Sequence, residues 1–205
     1  MQQTPQSETI LSLKGDLFLK NLKEATADMH QALERLPLSA SIIDPAVTVT
    51  NYQDYLLNMF PIVLDLEQNL YPMLQGIVPD LDQRRKLPLL LQDLKMLDVE
   101  VPGMSQLPLT GSGENMHIPF AMGILYVMEG STLGGRMIGN NIQKALGFTP
   151  ASGAKYFAGY GPATGSMWKS FLQHLETFRA SQNAGEEIIR GAQFAFTTIY
   201  HHFKG

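Results

Sequence analysis

The stretch Tyr126-Val-Met-Glu-Gly-Ser-Thr-Leu-Gly-Gly-Arg-Met-Ile138 decides the fold of this chain. It lies in a run, from about Met116 to Leu146, that otherwise predicts one long helix. Glycine nevertheless occupies positions 130, 134, 135 and 139. Each helix-interior glycine costs roughly 1 kcal/mol relative to alanine, so an interaction elsewhere must offset that cost. Two explanations are open: another group approaches a helix that bends here, or the glycines only allow tight helix–helix packing.

The rest of the chain predicts further helices on either side of this stretch. A first helix is predicted over residues 16–36, with Asp16 as its N-cap and Pro37 as its stop. A second is predicted from Thr50 or Asn51 to Leu70, with a kink or break at Pro61. Asn115 is the predicted cap of the glycine-bearing helix, and Gly147 its end. The same periodicity predicts helices over 81–97, interrupted near Pro88, and over 166–180 and 186–203.

The connections and termini complete a single-domain interpretation. Residues 1–15 are polar and predict a flexible lead-in, which leaves 16–205 as the domain. The segment 101–113 predicts a loop, and 151–165 predicts turns with a short helix, because both are rich in glycine and proline. No alternating strand pattern of useful length and no internal repeat occurs. The predicted fold class is therefore all-α.

Composition excludes several classes of protein. The chain has 205 residues and a formal net charge of −4, so no nucleic-acid interaction is expected. Cysteine is absent, which excludes disulfides, thiolate metal sites and a cysteine nucleophile. The N-terminus lacks the features of a signal peptide, and no apolar run approaches the ~20 residues that span a bilayer. A cytoplasmic protein without a membrane span is therefore expected.

His30 is the candidate metal ligand of the first predicted helix. Lys23 lies two turns before it and Glu34 one turn after it, so the three side chains project from nearly the same face. A histidine that ligates a metal usually has its second ring nitrogen held by a carboxylate, carbonyl or water, and Glu34 is placed to do this. The alternative is a surface or half-buried histidine beside a routine charged residue.

Other catalytic and metal motifs are missing from the sequence. The four remaining histidines form no zinc-type spacing, and neither HExxH nor a paired Glu-x-x-His pattern occurs. The serine at 131 has the wrong glycine spacing for a nucleophile elbow, and there is no phosphate-binding loop. The glycines lie within a helix and not after a strand, which disfavours a dinucleotide site.

Taken together, the segments Leu22–Glu34 and Tyr126–Ile138 resemble the proximal and distal helices of the heme oxygenase family, and more closely its bacterial branch. In that family the proximal histidine is the axial ligand of heme iron, and the distal helix arches over the opposite heme face. The order and separation of the two segments also agree, and Gln193–Phe196 resembles the family's C-terminal helix less specifically. The resemblance implies a multi-helix fold that clasps heme between a proximal and a kinked distal helix.

The resemblance also implies roles for particular residues. His30 is the implied iron ligand, and Gly130, Gly134 and Gly135 are implied to bring the distal backbone close to bound oxygen and ordered water. Ser131 stands where animal-type relatives carry aspartate, and it is implied either to join the distal water network or to bond the carbonyl one turn back. The other implied heme-binding residues are Lys23, Glu34, Tyr126 and Lys169, with Arg136 as a further cation. Packing roles are expected for Met128, Leu133 and Met137.

By resemblance, the function is the oxidative opening of heme to biliverdin, carbon monoxide and iron. Heme b (iron protoporphyrin IX) is then both cofactor and substrate, molecular oxygen is the co-substrate, and electrons come from a separate reductase or ferredoxin. Two alternatives stay open: a non-catalytic heme carrier or sensor on the same fold, and a helical protein without heme whose glycines serve packing. A monomer is one compatible oligomeric state, and iron acquisition and phytochrome chromophore supply are both compatible roles.

Overall fold

The computed structural model describes residues 5–103 and 106–205, with side chains from residue 15 onward. Within these ranges the chain consists of helices and turns without a strand, which confirms the predicted all-α fold. The helices are α1 (Pro5–Glu34), α2 (Pro37–Ile43), α3 (Val49–Asp65), α4 (Tyr71–Leu74), α5 (Leu87–Met96), α6 (Ile118–Leu146), α7 (Lys155–Ala158), α8 (Thr164–Gln182) and α9 (Gly185–Lys204). A π-helical turn covers Leu66–Leu70, and 3-10 turns cover Leu81–Arg84, Thr110–Ser112 and Gly161–Ala163.

Helix α1 begins earlier than the sequence predicted. Its first residue is Pro5, so the cap predicted at Asp16 is wrong. Proline is favoured in the first turn of a helix because its missing N–H has no partner there, so Pro5 is itself a start signal. Residues 1–4 of the predicted lead-in lie outside the described residues. The flexibility of residues 1–15 in solution stays a prediction.

Helix α3 passes through Pro61 without ending, so of the kink or break predicted there, the break is wrong and the kink stays a prediction. Pro61 is buried, and its apolar neighbours on the helix are buried with it, which stabilises the helix despite one missing N–H donor. Regular α-helix ends instead at the π-helical turn Leu66–Leu70. The N-cap is Thr48, two or three residues before the predicted Thr50 or Asn51, and it forms a reciprocal capping box with Asn51.

Helix α6 is the long helix that the sequence predicted, and it crosses α9 in the core. Its N-cap is His117 and not Asn115, and it ends at Gly147, whose φ of 78° is left-handed as a glycine terminus allows. A Cβ added at Gly123 would overlap the carbonyl oxygen of Ile188 in α9, so the two backbones are in direct contact. Helix α9 also packs against α1. It therefore connects the helix that carries His30 with the helix that carries the glycines.

Candidate functional site

His30 is an accessible histidine on helix α1. Its side chain is 55% exposed, and its ring stands edge-on to Phe196 of α9 with 5.5 Å between ring centroids. Its Nε2 lies 3.7 Å from Oε1 of Glu34, which is closer than solvent separation but longer than a hydrogen bond. The structure thus brings together the predicted pair of His30 and Glu34, and adds Phe196 as a contact that orients the ring.

The other implied heme-binding side chains lie on three different helices. Lys23 is exposed on α1, and Lys169 is exposed on α8. Tyr126 is half-buried on α6, where its ring packs against Trp168 with 5.4 Å between centroids. Burial raises the pKa of the Tyr126 hydroxyl above its ordinary value. Tyr126 is therefore a neutral aromatic wall, while the two lysines are cations at the surface.

Gly130 and Gly134 form an open face on α6. A Cβ at Gly134 would meet no atom within 4 Å, and a Cβ at Gly130 would meet only ring atoms of Trp168, at 3.6 and 3.8 Å. Leu133 and Met137 are 48% and 62% exposed, so the packing roles predicted for these two residues are wrong. They lie on the same side of the helix as Gly130 and Gly134, at a spacing of three or four residues. The open face therefore carries accessible apolar side chains and bare backbone.

Gly135 faces in another direction. A Cβ at Gly135 would lie 3.1 Å from the carbonyl oxygen of Phe157 in α7, and a Cβ at Gly139 would lie 3.6 Å from the Cβ of Phe157. The structure thus places Gly135 against the backbone of α7, apart from the two glycines of the open face. Arg136, the next residue, is exposed and lines a cleft of about 370 Å³ between α6 and the α7–α8 connection. Helix α6 therefore contains both kinds of glycine that the sequence allowed. Gly134 has free space above it, whereas Gly135 packs against another backbone.

The hydroxyls beside the open face are engaged with the helix backbone. Ser131 is exposed, and its Oγ donates to the carbonyl of Met128 at 2.7 Å. Thr132 donates in the same way to the carbonyl of Glu129 at 2.6 Å. Of the two alternatives for Ser131, the structure therefore contains the bond to the carbonyl one turn back. Met128 itself is buried, in agreement with its expected packing role.

A buried polar group next to the open face was missed by the sequence analysis. Arg84 is fully buried, and its guanidinium donates to Glu129 and, at 2.7 Å for both Nε and Nη2, to Asp80. The hydroxyl of Tyr160 donates to Oε1 of Glu129 at 2.7 Å. We call Asp80, Arg84, Glu129 and Tyr160 the Arg84 cluster. Its polar atoms are paired, as burial requires.

Arg84 and Glu129 form a charged pair at the centre of this cluster. Burial alone would lower the pKa of Arg84, but Asp80 and Glu129 hold it above its ordinary value. Burial raises the pKa of Glu129, and the adjacent Arg84 opposes that rise. Lys86 lies at the edge of the cluster with its Nζ 3.1 Å from the ring centroid of Tyr160, and burial lowers the pKa of Lys86 to about 8.

One sequence signal could have revealed this cluster. Glu129 lies one turn after Leu125 on the apolar stripe of α6, where the periodicity predicts a buried side chain. A carboxylate at a buried position requires a cation or hydrogen-bond donors. The identity of the partner was not accessible, because Arg84 is 45 residues away along the chain and no local pattern connects the two.

The protein is all-α and has the heme oxygenase fold, in which α1 carries His30 and α6 carries the glycines. Residues 16–204 match the family described as Heme oxygenase, so the chain belongs to the heme oxygenase family, as predicted. A search of curated protein sequences returned no match. Among the described residues, none of the helices combines the length and apolar character needed to cross a membrane.

Solved structures of bacterial heme oxygenases are similar to this chain. The NO- and CO-bound enzyme from Neisseria meningitidis has 26% sequence identity and a TM-score of 0.72, with 91% of this chain and 92% of that chain covered. Heme oxygenase-1 from Synechocystis, in complex with heme, has 16% identity, a TM-score of 0.71 and coverage of 91% and 90%. The Leptospira interrogans structure has 14% identity, a TM-score of 0.72 and coverage of 91% and 98%. At 16% and 14% identity, the similarities to the Synechocystis and Leptospira structures show a shared fold and nothing more.

Proposed function

We propose that this protein opens heme b (iron protoporphyrin IX) with molecular oxygen to give biliverdin, carbon monoxide and iron. The electrons come from a separate reductase or ferredoxin. Membership of the heme oxygenase family supports a heme-degrading enzyme in general. The observation that carries the proposal is the accessible ring of His30 on α1, which stands edge-on to Phe196 of α9.

The side chains and bare backbone on α1 and α6 fit a flat apolar ligand that contains a metal. His30 offers an exposed ring nitrogen, whereas three other histidines are already engaged. His117 lies 3.0 Å from a carboxylate oxygen of Glu187. His174 contacts the hydroxyl of Ser170, and His202 contacts the carbonyl of Asn58. On α6, the space above Gly134 is open, and exposed Leu133 and Met137 offer an apolar surface.

Each residue then has a role that its chemistry allows. His30 would bind the iron through one ring nitrogen, and the N–H of its other ring nitrogen would donate a hydrogen bond to Glu34. Lys23 and Lys169 pair with the propionates, which fixes the rotation of the ring in the pocket. When bound, heme supplies the redox-active iron and the macrocycle that is oxidised. Gly130 and Gly134 leave room for oxygen and ordered water beside the backbone.

The test begins with anaerobic addition of ferric heme to the purified protein. Wild type should bind about one heme per chain with a histidine-ligated spectrum. His30→Ala should bind heme at least about tenfold more weakly, because loss of a direct ligand exceeds the usual effect of losing its supporting partner. Added imidazole should restore part of the spectrum. The matched control is His201→Ala, an exposed histidine on α9. A spectrum that is unchanged in His30→Ala would contradict the ligand assignment.

Air and a reductant are then admitted to the same complex. Loss of the Soret band together with the appearance of a bilin supports the proposed enzyme, and chromatographic identification of the bilin isomer gives the meso carbon attacked.

A second candidate function is a non-catalytic heme carrier or sensor. The observation in its favour is the Ser131 hydroxyl, which is bonded to the Met128 carbonyl in the place where animal-type relatives have a carboxylate. A complex that binds heme but keeps its Soret band under these conditions would establish the carrier.

A further inference from the structure

The Arg84 cluster connects four separate segments of the chain at one buried point. Arg84 ends the 3-10 turn Leu81–Arg84, and Glu129 belongs to α6. Tyr160 lies in the connection that follows α7. The guanidinium of Arg84 also donates to the carbonyl of Met167 in α8, at 3.1 Å. Each of these bonds is directional, so together they fix the relative positions of the four segments.

This point lies beside the open face of α6 without being part of it. Glu129 is 3% exposed, and Gly130, the next residue, begins the open face. Trp168 follows Met167, and its ring covers the side of Gly130 and packs against Tyr126. The cluster therefore holds the start of the glycine segment through Glu129, and its aromatic wall through the backbone of α8.

Stability alone does not account for a charged pair at this position. Removing two charges from water costs about as much as their attraction returns, and apolar residues of the same volume are often equally stable. A buried ion pair can instead specify one conformation, because its charges are hydrogen-bonded in that arrangement and left unpaired, at a cost, in others. Arg84 donates to four acceptor oxygens here, on Asp80, Glu129 and Met167, and an apolar side chain would impose no such geometry.

We propose that Glu129, held by Arg84 and Tyr160, is a positioning residue that fixes the glycine segment 130–136 of α6 against the 160–168 connection. It thereby sets the space available to a small ligand on the open side of heme. The second part rests on the proposed function. Glu129 itself does not touch the ligand, because its carboxylate is buried and accepts from Arg84 and Tyr160.

Three variants separate this role from simple stabilisation. Glu129→Gln keeps the volume of the side chain and removes its charge. The double variant Arg84→Met/Glu129→Leu replaces the pair with apolar side chains and avoids leaving one charge buried alone. The control is Asp65→Asn, a fully buried carboxylate that accepts from the amides of Leu109 and Thr110 and is not a member of the Arg84 cluster.

The first measurement is amide hydrogen exchange in the protein without heme. Both Glu129 variants should raise exchange in residues 130–136 and 160–168 by about tenfold, while 118–126 keeps its protection. Asp65→Asn should leave these segments unchanged. Native protection of 130–136 in the double variant would overturn the proposal, and so would an equal rise across the whole chain.

The second measurement is the affinity of azide for the ferric heme complex of each folded variant. Both Glu129 variants should change the azide dissociation constant by about fivefold or more, and Asp65→Asn should not. Altered exchange with unchanged azide affinity would overturn the link between the segment and the pocket. If wild type bound no heme, the proposed function and this link would both fail, and the exchange measurement would still decide whether Glu129 positions the segment.

Discussion

Both halves of helix α6 contain glycine, but their surroundings differ. From Phe120 to Glu129 all but one of the residues are buried, and Gly123 lies against the backbone of α9. From Gly130 onward the buried residues are Gly135 and Ile142, and Gly134 has open space above it. The first half uses glycine to bring two helices together, whereas the second half keeps a surface free. Glycine in a helix therefore has no single meaning.

What separates the two halves is the tertiary contact above each Cα. A glycine that is covered by another backbone must remain glycine, because a methyl group has no room there. A glycine with nothing above it costs helix stability and returns none, so its presence requires a ligand or a motion as explanation. Gly135 belongs to the covered kind, although its direct neighbour Gly134 belongs to the open kind. Substitution to alanine is therefore the direct test of this comparison.

The largest effect is expected for Gly123→Ala. The added Cβ would overlap the carbonyl oxygen of Ile188 and crowd the amide nitrogen of Ala192, and neither backbone group can move without shifting α9. Overpacking of this kind costs about 3 kcal/mol or more of the free energy of unfolding, measured by urea denaturation. Gly191→Ala should behave in the same way, because its Cβ would overlap the backbone of Phe120. The control is Gly165→Ala, which meets no atom within 4 Å. A Gly123→Ala protein of native stability would refute the close crossing of the two helices.

The next effect compares Gly135→Ala with Gly134→Ala. At Gly135 the Cβ would lie 3.1 Å from the Phe157 carbonyl, which is held in place because Asp93 accepts from the amides of Lys155 and Tyr156 at 2.9 and 2.6 Å. We expect a loss of about 1 kcal/mol there. Gly134→Ala should instead gain up to about 1 kcal/mol without heme, because alanine is the better helix former.

The activities of these two variants sharpen the comparison. Gly134→Ala should lower heme-to-bilin turnover several-fold, because its methyl group enters the space that the proposed function assigns to the ligand. Turnover is measured as bilin formed per bound heme, with melting temperatures recorded for the same preparations. A Gly134→Ala protein with native turnover and reduced stability would mean that this glycine serves packing, and the open-face interpretation would be wrong.

The sequence predicted the parts of this fold that depend on local patterns. The long α6 and the final helices α8 and α9 follow from apolar periodicity, and the glycine terminus of α6 follows from backbone preference. Helix starts were less accessible, since Pro5 and Thr48 compete with equally plausible caps at Asp16 and Asn51.

The candidate site divides in the same way. His30 and Glu34 are one helical turn apart, so their proximity could be predicted, but the contact with Phe196 required the docking of α9 on α1. The partnership of Arg84 with Glu129, the exposure of Leu133 and the orientation of Gly135 depend on which helices pack together. Periodicity assigns a residue to a face, and only tertiary structure assigns a neighbour to that face.

The smallest effect concerns Lys86, at the boundary between the two halves of α6. Burial lowers its pKa in the folded protein to about 8, whereas an unfolded lysine has a pKa of about 10.4. Between these values the unfolded chain binds more protons than the folded chain, so the free energy of unfolding of wild type should rise with pH relative to Lys86→Met. Water screens part of the shift because the side chain is only partly buried, and the slope should be modest. Urea denaturation at several pH values between 8 and 10 measures this pH dependence of the free energy of unfolding.

Lys86→Arg is the control, since neither arginine nor methionine titrates in this range and the difference between those two variants should stay constant. A difference between wild type and Lys86→Met that falls as the pH rises would show that the amine is stabilised as a cation by Glu129 and Glu67. The Arg84 cluster would then hold the start of the glycine segment with one more positive charge than the burial of Lys86 indicates.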